Sequence, residues 1–340
     1  MHFMSLADAV LYLSRSNAAN GLSSLTIGSH VTIFSIHRPI SDEHSHKGLS
    51  PAFLGTALAR LSASGYHFVS LDQVLQKPGD LPAKSVCFTM DDGYADQADH
   101  LAPVLIEHDA KPTFFVITDL LDRSDWPWDE KIAYLVGTSK ERVLQGLGDF
   151  GFPESLSIEA PNLQDSVRRL LQRKGKELPA AEVPSLIAAL SKACGVEVPP
   201  VPPRGYQAMS WDHARKLEQQ GVRFAPHSRN HHITSQLSFD EAKQQFTGSW
   251  ERLTEELANP AKIYCYPTGR PQDFSSEHER VLESLGYMGA VSFISQPLRL
   301  KNLETQRFRL PRIAFPDRLK DVYRYASWIE ALRSFAHTAR

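Results

Sequence analysis

Two stretches of the chain carry residues whose types and spacing could do chemistry. Val86-Cys87-Phe88-Thr89-Met90-Asp91-Asp92-Gly93-Tyr94 is an apolar run that ends in two adjacent carboxylates and a glycine. Far downstream, Ala225-Pro226-His227-Ser228-Arg229-Asn230-His231 sets two imidazoles four residues apart. On a helix or a tight turn that spacing points both rings the same way, so they can grip one cation together. One carboxylate added to them makes a two-histidine, one-carboxylate set that leaves coordination positions open for water and substrate. The second carboxylate is then free to accept a proton from water that the metal has acidified to a pKa of roughly 7. Taken alone, Asp-Asp-Gly reads as a solvated turn and the histidine pair as a surface loop. Together they offer what adjacent buried anions need, which is a cation, a proton or a hydrogen-bond network.

The elements that must position these residues alternate. Val31 to Ile36 is a β-branched strand signal ending on His37-Arg38-Pro39. Ser50-Pro51 opens a helix that Gly65 ends. A short strand at Phe68 to Leu71 and a short helix from Leu71 to Gln76 follow. The Val86 run is a buried strand, a helix runs from about Asp96 to His108, and Thr113 to Ile117 is a third apolar strand. Strands alternating with helices imply a parallel sheet with covering helices, open or closed into a barrel. From Trp126 to Tyr206 the pattern turns helical and polar, closing in the stiff Val198-Pro199-Pro200-Val201-Pro202-Pro203 segment. That stretch reads as an inserted helical cap, 126–206, between a first barrel part, 1–125, and a second, 207–340. The alternation resumes with a helix capped by Ser210 and a strand from Val222 to Ala225. Next come a helix from about Asp240 to Leu257 and a strand, Ile263 to Tyr266, followed by Pro267-Thr268-Gly269. A helix over about Ser276 to Leu285, strands at Ala290 to Phe293 and Phe308 to Ala314, and a helix from Asp317 to about Phe335 complete the chain. His37, Asp91-Asp92, His227 and Pro267-Gly269 each follow a strand. In parallel α/β folds strand C-termini share one rim, so distance along the chain does not keep these residues apart.

Composition removes several classes. With 340 residues, 22% of them charged, and a net charge of −2, the chain is of globular type and has no basic field that points to nucleic acid. No stretch approaches the ~20 apolar residues of a membrane span. Met1 to Leu22 has the look of a short amphipathic helix and lacks the basic flank and apolar core of an export signal, which points to a cytoplasmic protein. Three cysteines, with no Cys-x-x-Cys spacing, read as reduced thiols. His44 and His46 lie in a polar loop read as solvated, and His232 has no partner at a useful spacing.

These motifs resemble those of a known family. Phe88-Thr89-Met90-Asp91-Asp92-Gly93 is similar to the first motif of polysaccharide deacetylases, the NodB-homology or family 4 carbohydrate esterases. His227-Ser228-Arg229-Asn230-His231 matches their H-[ST]-x-x-H motif, and Tyr264 to Gly269 resembles the third motif. The likeness covers about residues 30–125 and 207–316 and leaves out the cap. It implies an α/β fold, a distorted (β/α)7 barrel, carrying here an inserted helical cap. It implies a divalent metal, usually Zn2+ and otherwise Co2+ or Ni2+, and hydrolysis of an N-acetyl or O-acetyl group on an acetylated amino-sugar substrate. Carried over by position, Asp91 is the general base, Asp92, His227 and His231 hold the metal, and the Thr268 N–H helps bind the oxyanion. The chain also departs from the family pattern. Cys265 stands where many members place an arginine that orients the base; Arg312 is a candidate substitute, with a surface salt bridge as its plainer reading. The usual late acid histidine and the fourth-motif tryptophan have no match. His37 is similar to a histidine some members carry near the N-terminus and is the candidate acid for the leaving amine; its plainer reading is a buried structural histidine. Trp126 and Trp128 read as packing residues before sugar platforms. The alternatives are an amide hydrolase of the same fold acting on a non-sugar or formyl substrate, and a non-catalytic glycan-binding descendant, which would be expected to have lost the base or a ligand.

Overall fold

A computed structural model describes residues 28–41 and 48–338. The amphipathic segment at Met1 to Leu22, and His44 and His46, lie outside the described residues. In chain order the strands and α-helices are β1 (His30–Ile36), α1 (Pro51–Ala63), β2 (His67–Phe68), α2 (Leu71–Gln76), β3 (Ser85–Asp92), α3 (Ala102–Glu107), β4 (Thr113–Val116), α4 (Thr118–Leu121) and α5 (Trp128–Gly137). There follow β5 (Val143–Gln145), β6 (Ser155–Ser157), α6 (Pro161–Gly175), α7 (Val183–Cys194), α8 (Trp211–Gln219), β7 (Arg223–Pro226), α9 (Phe239–Glu256) and β8 (Ile263–Cys265). The last are α10 (Ser276–Ser284), β9 (Gly289–Val291), β10 (Leu298–Arg299), α11 (Leu303–Gln306), β11 (Ile313–Ala314), α12 (Leu319–Ala326) and α13 (Trp328–Thr338).

The parallel strands form a ring. β1 pairs with β3, β3 with β4 and β4 with β7, all parallel. β8 and β9 make a separate parallel pair. The seam from β7 to β8 rests on the bond from Ala261 N–H to the Phe224 carbonyl, 2.7 Å. On the other side Leu310 bridges to Val291, and the chain runs on into β11, which pairs parallel with β1. Seven strands, β1, β3, β4, β7, β8, β9 and β11, thus close a distorted (β/α)7 barrel. The distortion sits where ladders are short. Pro311 lacks an N–H, so the run from Phe308 to Ala314, expected as one strand, keeps a single bridge before Ile313. β1, β3 and β4 are buried along nearly their whole length, as strands covered on both faces must be. The helices start where the sequence places caps. Ser50 accepts from Phe53 N–H with Pro51 at the first position, and Ser238 and Glu241 close a capping box on α9.

Three departures from the expected elements have local causes. The helix foreseen from Asp96 begins as a π-helical turn, Gln97–Leu101, because the Gln97 side chain is turned back to the end of β3. The terminal helix is two helices, α12 and α13, parted at Ser327, whose ψ of 169° is extended. The expected helical stretch also contains a small antiparallel pair, β5 with β6, whose three-residue strands were too short to show in the sequence.

Residues of α5, α6 and α7 gather their own apolar core, with Ile132, Leu135, Leu171, Leu186 and Leu190 wholly buried. Trp128 and Trp126 are buried in packing, as their aromatic bulk favours. The Trp128 ring lies directly on Gly175, where an added Cβ would overlap Cζ3 and stand 3.1 Å from Cη2. Helix propensity favours Gly175→Ala by about 1 kcal/mol, but overpacking of this kind costs about 1–3 kcal/mol. The variant is therefore expected to lose up to about 2 kcal/mol of stability, seen as a lowered Tm. An unchanged or raised Tm would show that α6 can draw back from the ring.

Candidate active site

The residues expected to do chemistry meet at the C-terminal rim of the barrel. His37, Asp91, Asp92, His227, His231, Thr268 and Arg312 all line one cavity of about 400 Å³, within the size range of small-molecule sites. Among the described residues, four of the eight non-glycine residues with positive φ belong to this rim: Asp92 (85°), Ser228 (64°), His231 (61°) and Thr268 (56°). Left-handed backbone at such residues costs about 1–3 kcal/mol each and persists where surrounding bonds impose it. At Asp92 it has a clear use. Neighbours in a strand point to opposite faces, yet Asp91 and Asp92 reach the same cavity, and the chain leaves the strand geometry at Asp92 and Gly93. Gly93, at φ 89°, also leaves no room for a Cβ, which would stand 2.9 Å from Leu121 and Val116 side chains.

Gln97 holds this turn. It is fully buried, its Oε1 accepts from the N–H groups of Gly93 and Tyr94 at 3.1 and 2.9 Å, and its Nε2 donates to the carbonyls of Asp91 and His37. It thereby ties the strand ends carrying His37 and Asp91 together. Nothing in the sequence marked it, since an ordinary helix was expected there.

Asp91 is 3% exposed and faces Arg312, which is 1% exposed. Arg312 Nη1 and Nη2 reach the two carboxylate oxygens at 2.6 and 2.9 Å. Its remaining donors go to Thr89 Oγ1, the Ser292 carbonyl and Cys265 Sγ at 3.0, 3.1 and 3.2 Å. All five guanidinium N–H groups are therefore satisfied, the condition under which a buried ion pair persists. Burial works against charge on Asp91, but the Arg312 guanidinium and then His37 and His227 outweigh it and hold its carboxyl well below the usual carboxylate range. Arg312 is thus a buried bidentate partner of Asp91 and not a surface salt bridge, and Cys265 is one of its acceptors.

Asp92, His227 and His231 bring one ligand atom each within 4.8 Å of one another. His227 Nε2 and His231 Nε2 stand 3.5 and 3.7 Å from Asp92 Oδ1. The far side of each ring faces a second group, by a hydrogen bond at His227 and at ion-pair distance at His231. His227 Nδ1 lies 2.9 Å from the Cys265 carbonyl, and His231 Nδ1 lies 3.4 Å from Asp129 Oδ1. The turn between them is held by Ser228, whose Oγ accepts from His231 N–H at 2.9 Å. Burial pushes Asp92 up to about 6 and His227 down to about 3. His231 goes the other way, because the Asp129 carboxylate outweighs burial and favours its charged form. The donor set suits a divalent ion. One carboxylate and two imidazoles, each imidazole steered by a second group, is the arrangement metal-binding histidines adopt. Asp129, at the start of α5, was passed over in the sequence, where it read only as part of the Trp-Pro-Trp-Asp entry to the helical stretch.

The remaining expected residues are placed at the rim. His37 is exposed, so it is not a buried structural histidine; its Nε2 stands 3.7 Å from Asp91 Oδ2 and its ring is edge-on to Phe293. The Thr268 hydroxyl donates to Asp273, while its N–H donates to no group among the described residues. His232 lies beside a different hollow, with Trp128 and Asn230.

A family model described as polysaccharide deacetylase matches residues 78–290. No curated protein sequence matches the chain significantly. Among solved structures, the chain is similar to the Streptococcus pyogenes deacetylase PplD in complex with acetate, at 17% identity and a TM-score of 0.57, over 88% of this chain and 98% of that one. It is similar to IcaB from Ammonifex degensii at 16% identity and a TM-score of 0.55, over 88% and 97% of the two chains. It also resembles a de-N-acetylase from Aggregatibacter actinomycetemcomitans, at 16% identity and a TM-score of 0.52, over 85% and 96%. At such identities the structural likeness shows the shared fold, and the family model spans well over half of the chain. The chain therefore belongs to the polysaccharide deacetylase family and is a hydrolase of non-peptide carbon–nitrogen bonds.

Proposed function

We propose that this protein is a metal-dependent deacetylase that removes an N-acetyl, or O-acetyl, group from an amino-sugar-containing glycan or sugar intermediate. The observation that carries the reading is the pairing in one cavity of a clustered Asp92, His227 and His231 with a buried Asp91 kept ionised by Arg312. Zn2+ is the ion that best suits this donor set, with Co2+ or Ni2+ as substitutes. Once bound, it lowers the pKa of water and polarises the acyl oxygen. Asp91, as general base, takes the proton of the attacking water. Arg312 positions Asp91 and keeps it deprotonated over the working pH range. The unengaged Thr268 N–H is offered to the oxyanion that develops on the acyl group. His37, at the open side of the cavity, gives a proton to the departing nitrogen, and acetate and a free amine remain. The acetate recorded with the S. pyogenes deacetylase is the product this reaction would release.

Residues 126–206 form, in this reading, a cap inserted into the barrel made by 1–125 and 207–340. Its separate apolar core and its supply of Asp129 to the cavity wall support that division. No helix among the described residues is long and apolar enough to cross a membrane. A cytoplasmic, reducing setting is part of the proposal, supported by three buried free thiols, Cys87, Cys194 and Cys265.

Two measurements bear on this. Purified protein with measured metal content, given N-acetylglucosamine, its oligomers and its 1-phosphate, should release acetate and primary amine in proportion to bound metal. Full activity after chelation, or release from formamido sugars alone, would contradict the reading. Asp129→Asn removes the charge that steers His231 and is expected to weaken Zn2+ binding about 10–100-fold, read by competition with a chelating dye. An unaltered affinity would leave Asp129 without that role.

A further inference from the structure

One wall of the cavity has a chemistry that acetyl transfer to water does not need. On α6, Arg168 and Gln172 are four residues apart, and Lys176 follows four further on, at the helix end. That spacing puts the three on one face, and all three line the cavity. Arg270 lines it from the barrel side, just beyond the Pro267-Thr268-Gly269 turn. Burial pushes the Lys176 ammonium down, and the nearby Arg270 adds to this against the opposing pull of the Asp129 carboxylate.

These cations have little to neutralise them. Neither the Lys176 ammonium nor the Arg270 guanidinium forms an ion pair among the described residues. The carboxylates that face Lys176 are Asp129 and Asp273. Asp129 stands at ion-pair distance from His231, 3.4 Å, without a hydrogen bond to it, and Asp273 accepts from the Arg270 backbone N–H at 2.8 Å and from the Thr268 hydroxyl. Arg168 pairs with Asp165 but keeps a buried Nε without a partner. Of the other acids in the cavity, Asp91 is matched by Arg312 and Asp92 by the two imidazoles, while Glu130 accepts from the Tyr94 hydroxyl at 3.3 Å. Like charges gathered in a half-buried wall are unfavourable unless an anion fills the gap between them.

We propose that Arg168, Lys176 and Arg270 form an anion subsite, and that the substrate is an acylamino sugar carrying a phosphate or carboxylate group. These side chains line the same cavity as Asp91, so they would hold a part of the substrate outside the acyl group. Arginine forks and a lysine ammonium suit either oxyanion. This inference rests on the deacetylase reading for the identity of the sugar, but its binding test does not depend on turnover.

Calorimetric binding of three probes separates the possibilities: N-acetylglucosamine 1-phosphate, N-acetylmuramic acid and the neutral methyl N-acetylglucosaminide. At least one anionic probe should bind about tenfold or more tightly than the neutral one, and which does so tells phosphate from carboxylate. Lys176→Met and Arg270→Ala should each remove most of that preference. Arg173→Ala, one residue off the face and exposed, makes the same change in net charge and should leave the preference intact. Equal binding of all three probes, or a preference that survives in the double variant Lys176→Met/Arg270→Ala, would overturn the subsite. Hydrolysis of neutral and anionic probes at equal kcat/KM would do the same while leaving the deacetylase reading in place. Anion preference without hydrolysis of any probe would leave the subsite standing and sink the proposed reaction.

Discussion

Asp91→Asn is expected to lower kcat by about 10²–10⁴-fold and to leave the bound metal in place. Asparagine keeps the shape of the side chain but cannot accept a proton at neutral pH. Asp91 lies outside the Asp92, His227 and His231 set, so metal content should not change. The substitution also strands the Arg312 guanidinium, whose surroundings are otherwise closed. Loss of one partner of a buried pair costs about 3–5 kcal/mol, and one retained oxygen acceptor puts the expected cost near the lower end. Activity and metal content must therefore be measured on protein shown to be folded by its thermal transition. Folded, metal-loaded Asp91→Asn with undiminished kcat would show that another group takes the proton.

Arg312→Met should be the most destabilising single change at the site. It removes five donors at once and leaves Asp91 buried with no cation against it, at a cost of about 3–5 kcal/mol at neutral pH. The sign of the pH dependence follows from Asp91. In the native protein its carboxyl is depressed below the unfolded value, because Arg312, His37 and His227 outweigh burial. That contribution to stability is present above the unfolded pKa and is lost only in strong acid, as pH falls through the folded value. Without Arg312, burial dominates and the carboxyl rises above its unfolded value, so the variant gains relative stability as pH falls. Denaturant unfolding at pH 7 and pH 5 should show a deficit that shrinks on acidification, and the acid limb of kcat/KM should move toward neutrality. A deficit that is flat with pH would mean that Arg312 acts through packing and not through the charge of Asp91.

Much of the site was legible because strand ends in a parallel α/β fold share a rim. That rule alone brought Asp91-Asp92, His227 and His37 together from distant parts of the chain. Arg312 was legible only as a candidate. Its reach to Asp91 depends on β11 closing the ring beside β1, whose other neighbour is β3, and a run broken by Pro311 hides that strand. Gln97 and Asp129 were not legible. Gln97 acts through a π-helical turn, which has no simple sequence period, and Asp129 comes from the helical segment, where no strand end announces a site residue. The cationic face of α6 was hidden for a related reason. Arg168 and Lys176 sit in a polar helix rich in arginine and lysine, and only the packing of Gly175 on Trp128 shows which side turns inward.

The claim that Asp92, His227 and His231 hold one divalent ion is tested most directly by anomalous diffraction from crystals soaked in zinc. One peak should appear at about 2.0–2.2 Å from a carboxylate oxygen of Asp92 and from Nε2 of each histidine. Fully soaked crystals with no peak between those three side chains, or with zinc held elsewhere while they point apart, would contradict it.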